Sequence, residues 1–118
     1  MIKLFRRKVK KGTQLGRKLG FPTINLNVGR FGDHCRQGVH VCTVFVGARS
    51  YHGLLYLGPK LTRRGLVLEI YLHRFKGNLY NRWVRFSVGR FLRVPQRFSS
   101  TTALKKQMQK DLLTISKK

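Results

Sequence analysis

Short apolar runs, each closed off by glycine, proline or a polar turn, leave this chain little room for helices before about residue 99. Residues 1–9 carry Ile2, Leu4 and Val9 and read as an edge strand ending at Lys10-Lys11-Gly12. In 38–47 the residues Val39, Val41 and Phe45 face one side and Val44 and Val46 the other, as in a strand with apolar neighbours on both faces. Residues 51–57 follow the turn Gly47-Ala48-Arg49-Ser50 and stop at Gly58-Pro59. Residues 66–72 are apolar except for Glu69, and 82–94 alternate through Val84, Phe86 and Val88 opposite Arg85 and Ser87. Only 100–116 read as a helix. Ser99 or Ser100 can cap it, and Leu104, Met108, Leu112 and Ile115 form one apolar stripe. Lys105, Lys106, Lys110, Lys117 and Lys118 take the other faces, with cations late in the helix to suit its dipole. Many short strands and one terminal helix predict an all-β fold: a small antiparallel barrel with a helix packed on it, in a single domain over 1–118.

The charge balance is extreme. Lys and Arg number 26 against 3 acids, giving +23, although the charged fraction, 25%, is ordinary. What is missing is acid: only Asp33, Glu69 and Asp111 remain. A hydrophobic fraction of 42% excludes a disordered basic tail. Self-repulsion on this scale calls for a polyanion. RNA, such as a ribosomal surface, fits through counterion release; a host whose proteins are generally basic is the other reading. No apolar run approaches the roughly 20 residues of a membrane span, so no membrane partner is expected. Residues 1–11 lack the apolar centre of a secretory signal. A cytoplasmic location, or an organellar matrix, is therefore expected, with Cys35 and Cys42 reduced. His34, Cys35, His40 and Cys42 match no common zinc spacing.

Two places carry chemistry. Gly16-Arg17-Lys18-Leu19-Gly20-Phe21-Pro22-Thr23-Ile24-Asn25-Leu26 joins a cationic, glycine-punctuated loop to a Pro-Thr-x-Asn turn. Gly16 and Gly20 let backbone N–H groups approach an anion, Arg17 and Lys18 add charge, and Thr23 and Asn25 offer neutral oxygens to a hard cation. A basic surface loop with a proline turn is the plainer reading. Glu69 is the second place, because a carboxylate in an apolar run is costly to bury unpaired. It is either a general base or an outward strand residue paired with an arginine.

Taken in order, the blocks Gly16-Arg17-x-Leu19-Gly20-Phe21-Pro22-Thr23-x-Asn25-Leu26, Gly38-Val39, Leu57-Gly58-Pro59 with Thr62, Leu68-Glu69-Ile70, Gly77-x-Leu79-Tyr80, Leu92-Arg93 and Phe98-Ser99 resemble the riboflavin kinase family. Leu104, Gln107 and Asp111 resemble its terminal helix. The resemblance implies a six-stranded antiparallel Greek-key barrel with a C-terminal α-helix that transfers the ATP γ-phosphoryl group to riboflavin, giving FMN and ADP. It implies Glu69 as the catalytic base and Gly16, Arg17, Lys18, Gly20, Pro22, Thr23, Asn25 and Arg93 as the nucleotide-binding set. Thr23 and Asn25 would hold Mg2+. The expected ligands are ATP, Mg2+ and riboflavin.

The chain departs from the family where it writes Arg74-Phe75-Lys76-Gly77-Asn78-Leu79-Tyr80-Asn81, without two acids and a final glycine that the family usually has. Leu61-Thr62 stands for the family's Pro-Thr, and the acid expected after Arg93 is missing. These losses support an alternative, a non-enzymatic RNA- or ribosome-associated protein on the same barrel. In that reading Arg63, Arg64, Arg74, Lys76, Arg82, Arg85, Arg90, Arg93 and Arg97, among Tyr80, Trp83, Phe91 and Phe98, grip phosphates and bases. Trp83 and Phe86 are expected as packing residues. Retention of Glu69 in a chain short of acids favours the enzyme.

Overall fold

A computed structural model describes residues 3–11, 22–59 and 65–116. Six strands, β1 (Phe5–Lys10), β2 (Thr23–Leu26), β3 (Gly38–Val46), β4 (Arg49–Pro59), β5 (Leu66–Leu72) and β6 (Trp83–Arg93), precede one helix, α1 (Thr101–Ser116). The strands close into an antiparallel barrel in the order β1-β2-β5-β4-β3-β6. Strands β3, β4 and β5 form a meander and β6 returns beside β3, which is a Greek key.

Alternation along each strand fills the barrel. Leu26, Val44, Leu55, Leu57, Leu68, Ile70, Val84 and Phe86 point inward and are buried. Phe31, from a 3-10 turn at Gly29–Asp33, plugs one end, its ring 4.8 Å from that of Phe5 and 5.5 Å from that of Phe86. No apolar periodicity in the sequence marks this turn.

Two expectations fail on pairing. The first strand is not an edge, because β1 bonds to both β2 and β6 and the barrel leaves no edge. The Pro-Thr-x-Asn stretch is not a turn either. Pro22 precedes a strand whose Ile24 and Leu26 face inward while Thr23 and Asn25 face outward.

The helix begins as expected, with Ser100 Oγ accepting from the Ala103 N–H at 3.1 Å. Its apolar stripe lies on the outside of the barrel, where Ile115 and Leu112 pack with Val39, Val41, Leu54 and Leu92. Its last turn, however, holds no cation, and Lys117 and Lys118 lie outside the described residues. No helix among the described residues is long and apolar enough to cross a membrane.

Candidate active site

One row of outward residues runs round the barrel. Lys10 on β1 stands opposite Asn25 on β2, Asn25 opposite Glu69 on β5, and Glu69 opposite Tyr56 on β4. Tyr56 then faces Val39, and Val39 faces Arg93 on β6. Directly opposed residues share a face, with Cβ atoms roughly 4.5–5.5 Å apart. Asn25 and Glu69 are therefore immediate neighbours on adjacent strands, not groups reaching across the barrel. One row along, Thr23 stands opposite Tyr71 on the same outer face.

Glu69 is half-buried, and among the described residues it has no cationic partner. Its burial pushes its pKa up from the usual carboxylate value. Tyr56 is also pushed up, first by burial and then by the Glu69 charge, while Arg93 pulls it down. The Tyr56 ring lies along Gly58, whose missing side chain leaves space for the phenol oxygen. The pairing of Glu69 with an arginine, the plainer sequence reading, is thus absent among the described residues.

Arg93, at the far end of this row, is paired with the helix. Its Nη2 donates to Asp111 Oδ2 at 2.8 Å, its Nε reaches both Asp111 oxygens, and its Nη1 donates to Gln96 at 3.3 Å. These bonds tie β6 to α1. Asp111 lies on the helix that its spacing predicts, and its ion pair with Arg93 has no counterpart in the sequence pattern.

Pro22, Thr23 and Asn25 border a cavity of about 240 Å³, together with Lys10, Lys11 and the segment from Phe75 to Tyr80. Glu69 is not among its lining residues and sits one strand beyond Asn25. Gly16, Arg17, Lys18 and Gly20 lie outside the described residues, as do Leu61, Thr62, Arg63 and Arg64.

The altered segment is well held. Asn78 Oδ1 accepts from the Tyr80 N–H at 2.8 Å, and Phe75 meets Tyr51 edge-on at 5.2 Å. Asn81, standing for the family's glycine, has φ +66°, which asparagine tolerates better than other side chains. Arg74 has φ +64° with no such aptitude. Arg74→Gly is expected to raise the melting temperature by roughly 2–4 °C, since relief of the left-handed strain exceeds the added chain entropy by about 0.5–1 kcal/mol. A lower melting point in calorimetry would refute that.

His40 and Cys35 meet at the opposite end of the barrel, Nε2 to Sγ at 3.5 Å, while Cys42 is buried in the core. No three metal-ligating side chains cluster among the described residues. Trp83, expected to pack, is instead 51% exposed with the Arg6 guanidinium 4.0 Å from its ring centroid.

The donor set fits a hard divalent cation. Thr23 and Asn25 supply neutral oxygens on one face of β2, next to a carboxylate and two lysines suited to phosphate. Residues 4–118 match the flavokinase family model, described as riboflavin kinase. The RNA-binding riboflavin kinase of Bacillus subtilis is 35% identical over 113 residues, covering 93% of this chain and 48% of that protein. The bifunctional riboflavin kinase/FMN adenylyltransferase of Mycoplasma pneumoniae is 35% identical over 107 residues, covering 91% of this chain and 39% of its own. A crystal structure of riboflavin kinase from Trypanosoma brucei superposes with a TM-score of 0.66 at 26% identity, over 95% of this chain and 76% of that one. The chain thus spans less than half the length of the two sequence relatives.

Proposed function

The chain belongs to the riboflavin kinase family, and on that footing we propose that it converts riboflavin and ATP into FMN and ADP. The observation that carries this reading is the single outward row holding Lys10, Asn25 and Glu69 on three adjacent strands. Glu69, desolvated and free of a cationic partner among the described residues, is suited to accept the proton of the riboflavin 5′-hydroxyl. The freed oxygen attacks the γ-phosphorus, the bond from that phosphorus to the bridging oxygen breaks, and ADP leaves. Lys10 and Lys11 offset phosphate charge at the cavity rim, and Gly16, Arg17, Lys18 and Gly20 extend the cradle by sequence. Thr23 and Asn25 would hold the divalent metal, for which we propose Mg2+. Such a metal neutralises the phosphate oxygens as charge shifts to the leaving group. Arg93, on the same outward row as Tyr56 and tied to α1 through Asp111, completes the nucleotide-binding set that the family resemblance implies.

The direct test is to incubate the purified protein with riboflavin, ATP and Mg2+ and to separate FMN by chromatography. Asn25→Ala is expected to lower kcat/KM by about 100-fold, near 2.7 kcal/mol of transition-state stabilisation, while leaving the circular dichroism unchanged. Unchanged turnover in that variant would remove the metal assignment.

RNA is a second partner in this reading, not a substitute for the kinase. The +23 charge far exceeds what one nucleotide can neutralise, and the Bacillus subtilis relative is named for RNA binding.

A further inference from the structure

We propose that the outer face of β1, β6 and β3 is the docking surface for single-stranded RNA. The inference rests on the RNA reading above and adds which face is used and which form of RNA fits it. Strand alternation turns Arg6 and Lys8 outward on β1, and Trp83 and Arg85 outward on β6. Register places Lys8 opposite Trp83, and Arg6 opposite Arg85, which in turn faces Phe45 on β3. Cation and aromatic side chains are stacked in pairs. The Arg6 guanidinium lies 4.0 Å from the Trp83 centroid, and that of Arg85 lies 5.6 Å from the Phe45 centroid.

This face differs from the rest of the barrel in three ways. It carries no carboxylate: Asp33 ends the 3-10 turn, Glu69 lies on β5, and Asp111 is paired on α1. Helix α1 covers another part of the wall, around Val39, Val41 and Leu54. And Trp83, although flanked by the deeply buried Val84, leaves half its surface in solvent. With the guanidinium over the ring, the exposed part of the indole is what a planar partner can reach.

The chemistry that matches is a chain of phosphates with unpaired bases. Arg6, Lys8 and Arg85 neutralise phosphates at strand spacing, while a base stacks on the exposed indole of Trp83. A duplex keeps its bases stacked on each other and cannot offer one to the indole. A second copy of this chain would meet the face with the same charge. Because Glu69 and the Thr23–Asn25 pair lie on β5 and β2, both faces can be occupied together.

Trp83 is the chain's one tryptophan, so its emission reports this face alone. Titration with a 12-nucleotide oligouridylate at 50 mM salt is expected to quench it saturably. Affinity should fall at least tenfold by 200 mM salt, as release of about two counterions from three phosphate contacts requires. The double variant Arg6→Glu, Arg85→Glu should bind labelled oligouridylate at least tenfold more weakly by fluorescence anisotropy. Trp83→Ala should weaken it about tenfold, one lost stacked base. FMN synthesis and circular dichroism should stay at wild-type levels in both, showing that the barrel is intact. RNA binding without quenching, and at wild-type affinity in the double variant, would overturn the face but spare the RNA reading. No binding at 50 mM salt would overturn both. Equal affinity for duplex RNA, or quenching by phosphatidylglycerol vesicles and not by RNA, would overturn the single-strand assignment.

Discussion

Replacement of Glu69 by glutamine is expected to lower FMN formation about a thousandfold, within the range for loss of a positioned general base. The substitution keeps size and shape, so riboflavin and ATP should still bind and KM should change little. What disappears is the proton acceptor beside Asn25 on the outer row. Stability should move the other way. Burial raises the pKa of Glu69 in the folded state above its unfolded value, so the native protein holds that proton more tightly than the unfolded chain. Stability contributed by the protonated form is therefore present at low pH and lost as pH rises through the raised value. At neutral pH the ionised, desolvated carboxylate is a burden on the fold, and Glu69→Gln should melt no lower than the parent. The same shift sets the activity profile. FMN formation should rise with pH through a midpoint above the usual carboxylate range and then level off. A variant that turns over normally, or a midpoint at or below the ordinary carboxylate value, would remove Glu69 from the chemistry.

The strands that could be read from sequence were those whose pattern is local. The alternation in β3 and β6, the apolar run of β5 and the stripe of α1 each show within one element, and the structure follows them to within a few residues. Strand β2 could not be read that way. It is four residues long, begins after a proline, and exists because β1 and β5 bond to it from both sides. Barrel closure hides β1's second partner for the same reason. Trp83 was legible and misread: once Val84, Phe86 and Val88 point inward, its neighbour must point out. Its aromatic character drew the wrong conclusion where the parity held the right one.

For the candidate site, the residue types were visible and their arrangement was not. Nothing in the spacing of Asn25 and Glu69, 44 positions apart in the numbering, shows that register makes them neighbours. Lys10 joins them only because β1 ends level with Asn25. The motifs group Arg93 with the nucleotide ligands, and in the fold it also holds Asp111 and Gln96. That contact links positions 18 apart across two elements, which no periodicity reports.

Asp111 supplies the largest expected stability effect. Of the chain's three acids it is the one in an ion pair among the described residues, and side-chain exposure is only 17% for Arg93 and 8% for Asp111. Its Oδ1 also accepts from Gln107 Nε2 at 3.0 Å. Asp111→Ala would leave the Arg93 guanidinium desolvated with one remaining acceptor, Gln96, and the Gln107 amide unpaired. Removing one partner from a pair this sheltered is expected to cost about 3 kcal/mol, toward the lower end for buried pairs because Arg93 keeps some water. For a domain of this size that lowers the melting temperature by roughly 10 °C. Activity should fall too, since α1 packs against Tyr56, the direct neighbour of Glu69. Asp111→Asn keeps an acceptor without the charge and should lie between the parent and Asp111→Ala. Arg93→Met combined with Asp111→Leu removes both charges at once and should recover most of the stability, because apolar packing can replace a buried pair without the desolvation cost. Thermal melts of the four proteins decide the matter. If Asp111→Ala melts within 2 °C of the parent, the ion pair is not what holds the helix to the barrel. If the double variant melts as low as Asp111→Ala, the shape of the two side chains matters and the stranded charge does not.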